Sequence, residues 1–514
     1  MTASHIGNTG PPQPSIASVL SETLNSWRLV EDPVQQSVLQ QKLEVASNAN
    51  FEWGACLEQA KINLPNNKGS VQIPMMLSIS EKLLGAKGAV TCLIDVVCAI
   101  DVSGSMQGEK MSYVKKSLKL MLNFLDNSRL ALVLFSNTAE IVMNFKTVNS
   151  DNRARIEQLI DSLFIIKDTN ITDSVKLAQK MIGQRKHKNP ACSVFVLSDG
   201  IHNRGPISND ALFSEEKFST GDENYSIHTF GYGDDHDAQQ LQSIAEHKFG
   251  NYYFVNDLER VDEYFVDCIG SITSTLALEG KINFKFTLGD LIKGIKVVKA
   301  HGPYFKSHSK GLWSLSLPNL YAGMSKDFIL MLQLDYDKAA QMQPTQVELA
   351  SMSLSFKRIG ANSRVSTEKK LSVLFEHGSK IGKPEINLEV RKNYLRVRAA
   401  EVMAWAEAHK KPDYNKAISE LRKFQQFELG NEPALLGDPV VISINSQISQ
   451  LIEMLTNEMH GKKNKVKLVN FVVENAHLMQ QQQSNPVSAY GALNRNAYQC
   501  SNVGRLASMK VAYY

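Results

Sequence analysis

The chain has 514 residues, 43% of them apolar and 21% charged, with a formal net charge of +4. That composition supports a full hydrophobic core and about three or four domains, and it excludes a strong electrostatic pull toward nucleic acid or anionic membranes. The six cysteines (Cys56, Cys92, Cys98, Cys192, Cys268 and Cys500) include no Cys-x-x-Cys pair, which predicts buried reduced thiols rather than a zinc site or a disulfide framework.

Residues 1–65 read as a polar N-terminal segment, partly disordered, with no basic-then-apolar start of a secretory signal. Nowhere does an apolar run approach the roughly 20 residues of a membrane span, so a cytoplasmic protein is expected. Within 66–90, "SVQIPMMLSISEK" alternates as a strand that joins a later β-sandwich. Strand and helix then alternate over 91–276. "LIDVVCAI" is a buried strand, followed by a helix with Met111, Val114, Leu118 and Leu122 on one face. "LALVLFS" and "AEIVMNF" form a hairpin, and "RARIEQLIDSL" and "ITDSVKLAQKMI" are helices. The strands "CSVFVLS", "SIHTFGYG" and "NYYFV" complete the pattern with two further helices. Buried strands separated by amphipathic helices imply an α/β fold, a doubly wound, mostly parallel, Rossmann-like sheet. Residues 277–385 change to short strands between Gly, Pro and Asn turns, an all-β sandwich. A helical region occupies 386–480, in which Trp405 and Tyr414 are core residues, and 481–514 lack periodicity and read as a flexible tail.

Ligands of a doubly wound sheet bind outside the carboxyl ends of its strands, where strand order reverses. "AIDVSGSMQGEKM" puts Asp101, Ser103 and Ser105 at the end of the first strand. "CSVFVLSDG" puts Asp199 at the end of another, and "KDTNIT" brings Thr169 just ahead of a helix start. All five offer hard oxygen and none offers nitrogen or sulfur, which selects Mg²⁺, or Mn²⁺ or Ca²⁺, over zinc or copper. Two carboxylates nearly neutralise such an ion, and the hydroxyls are neutral donors. An open coordination position is then left for an acidic residue of a partner protein.

The Asp-x-Ser-x-Ser, Thr and late Asp pattern resembles a von Willebrand factor A domain with its metal-ion-dependent adhesion site (MIDAS). The resemblance implies that Asp101 holds the ion through water, that Ser103, Ser105 and Thr169 coordinate it, and that Asp199 positions a metal-bound water. The sequence departs from the family at Lys167-Asp168, where Gly-Gly is common; a cation there opposes metal binding and Asp168 offsets it. "RKHKNPACSVFVLSDG", "YSIHTFGYGDDHDAQQLQSIAE", "LPNLYAGMSKDFIL" and "LRVRAAEVMAWAEA" extend the likeness over roughly 70–480 to the plant wavy-growth ubiquitin ligases. Those ligases carry a RING finger, which needs about eight zinc ligands; Cys56 is the only cysteine in residues 1–90.

Other clusters have plainer readings. In Asp234-Asp235-His236-Asp237, Asp237 is expected to cap the following helix with Gln240 completing a capping box. Arg185-Lys186-His187-Lys188 is read as a solvated helix C-terminus complementing the dipole. No nucleophile elbow, dinucleotide fingerprint or P-loop is present. The expected function is therefore a non-catalytic protein–protein interaction through a divalent-metal site, without nucleic acid or membrane. The alternatives are an adaptor or substrate-receptor subunit in ubiquitin transfer, and a structural component of a large assembly with an idle metal site.

Overall fold

The computed structural model describes residues 25–38, 50–63, 69–81, 92–166, 169–200, 225–255 apart from 235, 258–288, 292–336 apart from 303 and 310, 345–376 apart from 362, and 385–480 apart from 463, 465 and 466. The expectations for residues 1–24, Lys167-Asp168, Asp235, Cys500 and the 481–514 tail lie outside the described residues.

A short helix α1 (Asn25–Leu29) precedes strands β1 (Phe51–Leu57), β2 (Lys61–Asn63) and β3 (Gly69–Glu81). The α/β unit follows: β4 (Ile94–Asp101), α2 (Glu109–Leu122), β5 (Arg129–Phe135), β6 (Ala139–Thr147), α3 (Ser150–Asp161), α4 (Ile171–Gly183), β7 (Ala191–Ser198), β8 (Ser226–Tyr232), α5 (Ala238–His247), β9 (Tyr252–Val255) and α6 (Leu258–Thr273). Its sheet has the order β6-β5-β4-β7-β8-β9, and only β6 runs antiparallel to its neighbour. Every residue of β4 is buried, because helices cover both faces. Val96, Cys98 and Ile100 pack with Val114 and Leu118 of α2 and Phe265 of α6. The intervening Val97 and Ala99 pack with Ile171, Val175 and Ala178 of α4, as the two-residue period of a strand requires.

Strands β10 (Thr275–Phe286), β11 (Ile292–Ala300), β12 (Phe305–Ser309), β13 (Leu312–Tyr321), β14 (Ser325–Tyr336), β15 (Thr345–Arg358) and β16 (Arg364–Glu376) complete two further sheets. Their orders are β1-β3-β14-β11 and β12-β13-β10-β15-β16-β2. Strand β3 lies in one of these sheets and β10 in the other, so the α/β unit is inserted between two strands of the sandwich. Residues Phe51–Leu57 and Lys61–Asn63 correct the reading of 1–65 as a polar N-terminal segment. β1 pairs antiparallel with β3 and β2 pairs parallel with β16, and Phe51, Trp53 and Leu57 are buried in the sandwich core. Strand β16 is hidden in sequence by its polar, charged first half, from which only the partly buried Val365 packs against that core, while Leu371, Val373 and Phe375 of the second half are buried in it.

The helical region comprises α7 (Leu388–His409), α8 (Tyr414–Lys423), α9 (Pro439–Met459) and α10 (Leu468–Gln480). These helices enclose their own core around Leu395, Met403, Leu421, Ile448 and Leu455, with Trp405 and Tyr414 packed against it. The region touches both other units. Val390 and Val397 of α7 meet Met76 and Ile329 of the sandwich, and Val473 of α10 packs with Leu241, Tyr252 and Phe254 of the α/β unit.

The amino end of β4 carries a buried ionic cluster. Asp95 accepts from Arg129 Nε and Nη2, each at 2.8 Å, and from Arg185 Nη1 at 2.6 Å. Asn189 adds its side-chain amide at 2.9 Å and its backbone N–H at 3.2 Å. This corrects the reading of 185–188 as a solvated turn at Arg185 alone, since Lys186, His187 and Lys188 are exposed. Arg185 is buried and pairs with Asp95, whereas the N–H groups of Lys186 and His187 donate to Glu31. Arg129 Nη1 also donates to Glu31, at 2.9 Å, tying the segment after α1 to this pole of the sheet.

Candidate metal centre

Strand order reverses at β4: the chain passes from β4 to β5 on one side and later returns to β7 on the other. The crevice at the carboxyl ends of β4 and β7 is thus the switch point of the sheet. Asp101 is the last residue of β4, and Asp199 directly follows the last residue of β7. Both are fully buried.

The Asp101 carboxylate accepts the backbone N–H of Ser103 at 2.9 Å and the Ser198 hydroxyl at 2.5 Å. Ser103 and Ser105, flanking Gly104 in a tight turn, hold their hydroxyls 3.1 Å apart. Gly108 ends the turn with φ 84°, a conformation costly for any residue with a Cβ, and α2 starts immediately after it. Thr169 is buried and precedes Asn170, which caps α4 by accepting from Asp173 N–H at 3.3 Å. The loop before it is fixed to the end of β4 by the Ile166 N–H, which donates to Val102 O at 2.6 Å. Asp101, Ser103, Ser105 and Asp199 therefore share one crevice mouth, and the Thr169 loop is stitched to the residue that follows Asp101.

Two groups in this crevice carry no mark in the sequence motif. Ser198 links the two strands, donating to Asp101 and accepting the Gly200 N–H at 2.9 Å. Lys110 Nζ lies 3.1 Å from Asp199 Oδ2. Lysine nine residues after the aspartate of a strand end is a weak sequence signal, and only the fold brings it to Asp199.

Burial pushes the Asp101 carboxyl up to about 6; the Ser103 and Ser198 hydrogen bonds oppose that rise and the nearby Asp199 carboxylate adds to it. Among the described residues, Asp101 and Asp199 carry two buried negative charges against the one positive charge of Lys110, and a divalent ion would offset the excess. The donor set is oxygen throughout, which fits Mg²⁺. Among the described residues, no group of three or more His, Cys, Asp or Glu is placed to hold a metal ion, so a site here depends on hydroxyl oxygens.

The neighbouring acidic cluster serves the fold. Asp237 Oδ1 accepts the Gln240 N–H at 3.1 Å as the cap of α5. Buried His236 bonds the Gly233 carbonyl and the Tyr252 hydroxyl, and Asn470 of α10 donates to Asp234 O at 2.9 Å. A buried Ser193–Ser226–His228 chain also exists, with oxygens 2.8 Å apart and Ser226 Oγ 2.9 Å from His228 Nε2. His228 Nδ1 accepts the Asn251 N–H at 3.1 Å, so Nε2 carries the ring proton and the chain is wired as structure, opposite to a serine nucleophile with its base.

The family model of the von Willebrand factor type A domain matches residues 95–266. The E3 ubiquitin-protein ligase WAV3 of Arabidopsis thaliana is 24% identical over 242 residues, 47% of this chain and 31% of that protein. The probable E3 ubiquitin-protein ligase WAVH2 of the same plant is 30% identical over 162 residues, 30% of this chain and 22% of its own length. The matched stretches thus span less than a third of either relative. Among solved structures, a von Willebrand factor type A protein from Catenulispora acidiphila shares the fold, with a TM-score of 0.61 at 14% identity over 85% of this chain and 98% of that one. Residues 95–266 of this chain, with their reversing parallel sheet and Asp-x-Ser-x-Ser turn, are a von Willebrand factor type A domain.

Proposed function

We propose that this chain is a non-catalytic cytoplasmic binding protein whose A domain holds a divalent ion that a partner protein completes. Ser103, Ser105 and Thr169 coordinate Mg²⁺ (or Mn²⁺ or Ca²⁺), Asp101 holds it through water, and Asp199 positions a metal-bound water. The observation that carries this reading is the pair of fully buried carboxylates at the switch point, beside two hydroxyls 3.1 Å apart. An ion held by so few charged donors stays electrophilic, so the fitting partner group is a carboxylate. Among the described residues no histidine pairs with the Ser103 or Ser105 hydroxyl, and the neighbouring Asp101 carboxylate is assigned to the ion, so hydrolysis is not part of this reading.

The test is capture of binding proteins by the full chain in Mg²⁺, in EDTA, and with Asp101→Ala in Mg²⁺. Proteins bound only by the unchanged chain in Mg²⁺ support the proposal. Equal capture in all three conditions contradicts it.

The ligase relatives favour a second reading, an adaptor or substrate receptor in ubiquitin transfer. Co-purification with a RING protein or a ubiquitin-conjugating enzyme supports it, and autonomous ubiquitin transfer by this chain would contradict the non-catalytic assignment. No helix among the described residues is long and apolar enough to cross a membrane.

A further inference from the structure

Resting on the metal reading above, we infer that Lys110 is the tethered counter-cation of this site: its ammonium competes with the divalent ion for Asp199 and sets the affinity for that ion.

The placement of Lys110 needs an explanation. It is the second residue of α2, where the helix dipole disfavours a cation, and its side chain is only 17% exposed. The fully buried Asp199 carboxylate 3.1 Å from Nζ offsets these costs. The left-handed Gly108 immediately before α2 fixes where that helix starts, so Lys110 is aimed by backbone geometry as well as by charge.

Asp101 and Asp199 contribute two negative charges and Lys110 returns one. From these three groups a divalent ion entering the crevice therefore meets one net negative charge instead of two, and its own charge repels the ammonium beside Asp199. The ion must displace Nζ from the carboxylate or share that carboxylate with it. Either way Lys110 weakens the ion. With the ion in place, the sum over these four groups is one positive charge, which an incoming carboxylate neutralises. Lys110 thereby makes stable loading depend on the acidic partner. A purely structural Lys110, serving to hold Asp199 in position, makes the opposite prediction: its removal would loosen Asp199 and weaken the ion.

The experiment is calorimetric titration of Mg²⁺ into the EDTA-stripped full chain, beside Lys110→Met and Lys110→Arg, with circular dichroism establishing that each is folded. Lys110→Met is expected to bind Mg²⁺ about tenfold more tightly, and Lys110→Arg to stay within about twofold of the unchanged protein. Lys110→Gln replaces the Met variant if that one fails to fold. Unchanged or weaker binding by the neutral variant overturns the role of Lys110 and leaves the metal site standing. Absence of binding by both the unchanged chain and the neutral variant overturns the metal reading, and the inference falls with it.

Discussion

Asp95 and Asp101 stand six residues apart on one strand, both fully buried, at opposite poles of the same sheet. At the amino end, Asp95 receives two arginines and both the side chain and backbone of Asn189. At the carboxyl end, Asp101 receives a backbone N–H and a serine hydroxyl, and its carboxyl is driven up to about 6. Burial is the same and chemistry is different. A buried carboxylate surrounded by matched donors holds a structure together. One left short of positive charge is strained in its ionised form, and at a switch point that shortage reads as a place for a cation.

The largest expected effect tests the closed end. Asp95→Ala leaves Arg129 and Arg185 buried without their carboxylate and is expected to destabilise the protein by about 3–5 kcal/mol, read from the urea midpoint, with Mg²⁺ affinity in the surviving folded protein unchanged. Stability equal to the unchanged chain would erase the contrast between the two poles. At the open end the sign is reversed. The Asp101 carboxyl titrates near 6 when folded and near 3.9 when unfolded, so its ionised form costs stability above pH 6, and that cost disappears as pH falls toward 4. Asp101→Asn is therefore expected to gain up to about 3 kcal/mol in EDTA at pH 7 and nothing near pH 4. A loss at pH 7 would show that Asp101, like Asp95, is a structural anion. The same titration predicts that metal affinity falls as pH drops through 6, because the proton competes with the ion. The smallest effect sharpens the comparison at the neighbouring loop. Asp237→Ala removes only the α5 cap, with an expected loss of about 1 kcal/mol and no change in Mg²⁺ binding; lost metal binding would move Asp237 into the site.

The α/β layout is legible in the sequence because each central strand is a continuous apolar run and each helix carries a one-sided stripe, as Met111, Val114 and Leu118 do on α2. Strands with weaker alternation are hidden. Phe51 and Trp53 flank Glu52 and follow the polar stretch Ser47 to Asn50, and the first half of β16 includes Glu368, Lys369 and Lys370 among its exposed residues. The metal motif is legible because its residues are close in sequence or adjoin obvious strand ends. Ser198 and Lys110 are not, since a serine ending a strand and a lysine opening a helix are ordinary in sequence and gain meaning from the register that sets β7 beside β4. Arg185 misleads in the same way. Its place in a basic run suggests solvent, and only the fold turns it inward to Asp95.

The most direct test of the central claim is calorimetric titration of Mg²⁺ and Mn²⁺ into the EDTA-stripped full chain, unchanged and with Asp101→Ala. The account predicts saturable binding by the unchanged protein and none by the folded variant. Equal binding by both would place the ion elsewhere and leave the unneutralised carboxylate at the end of β4 without its purpose.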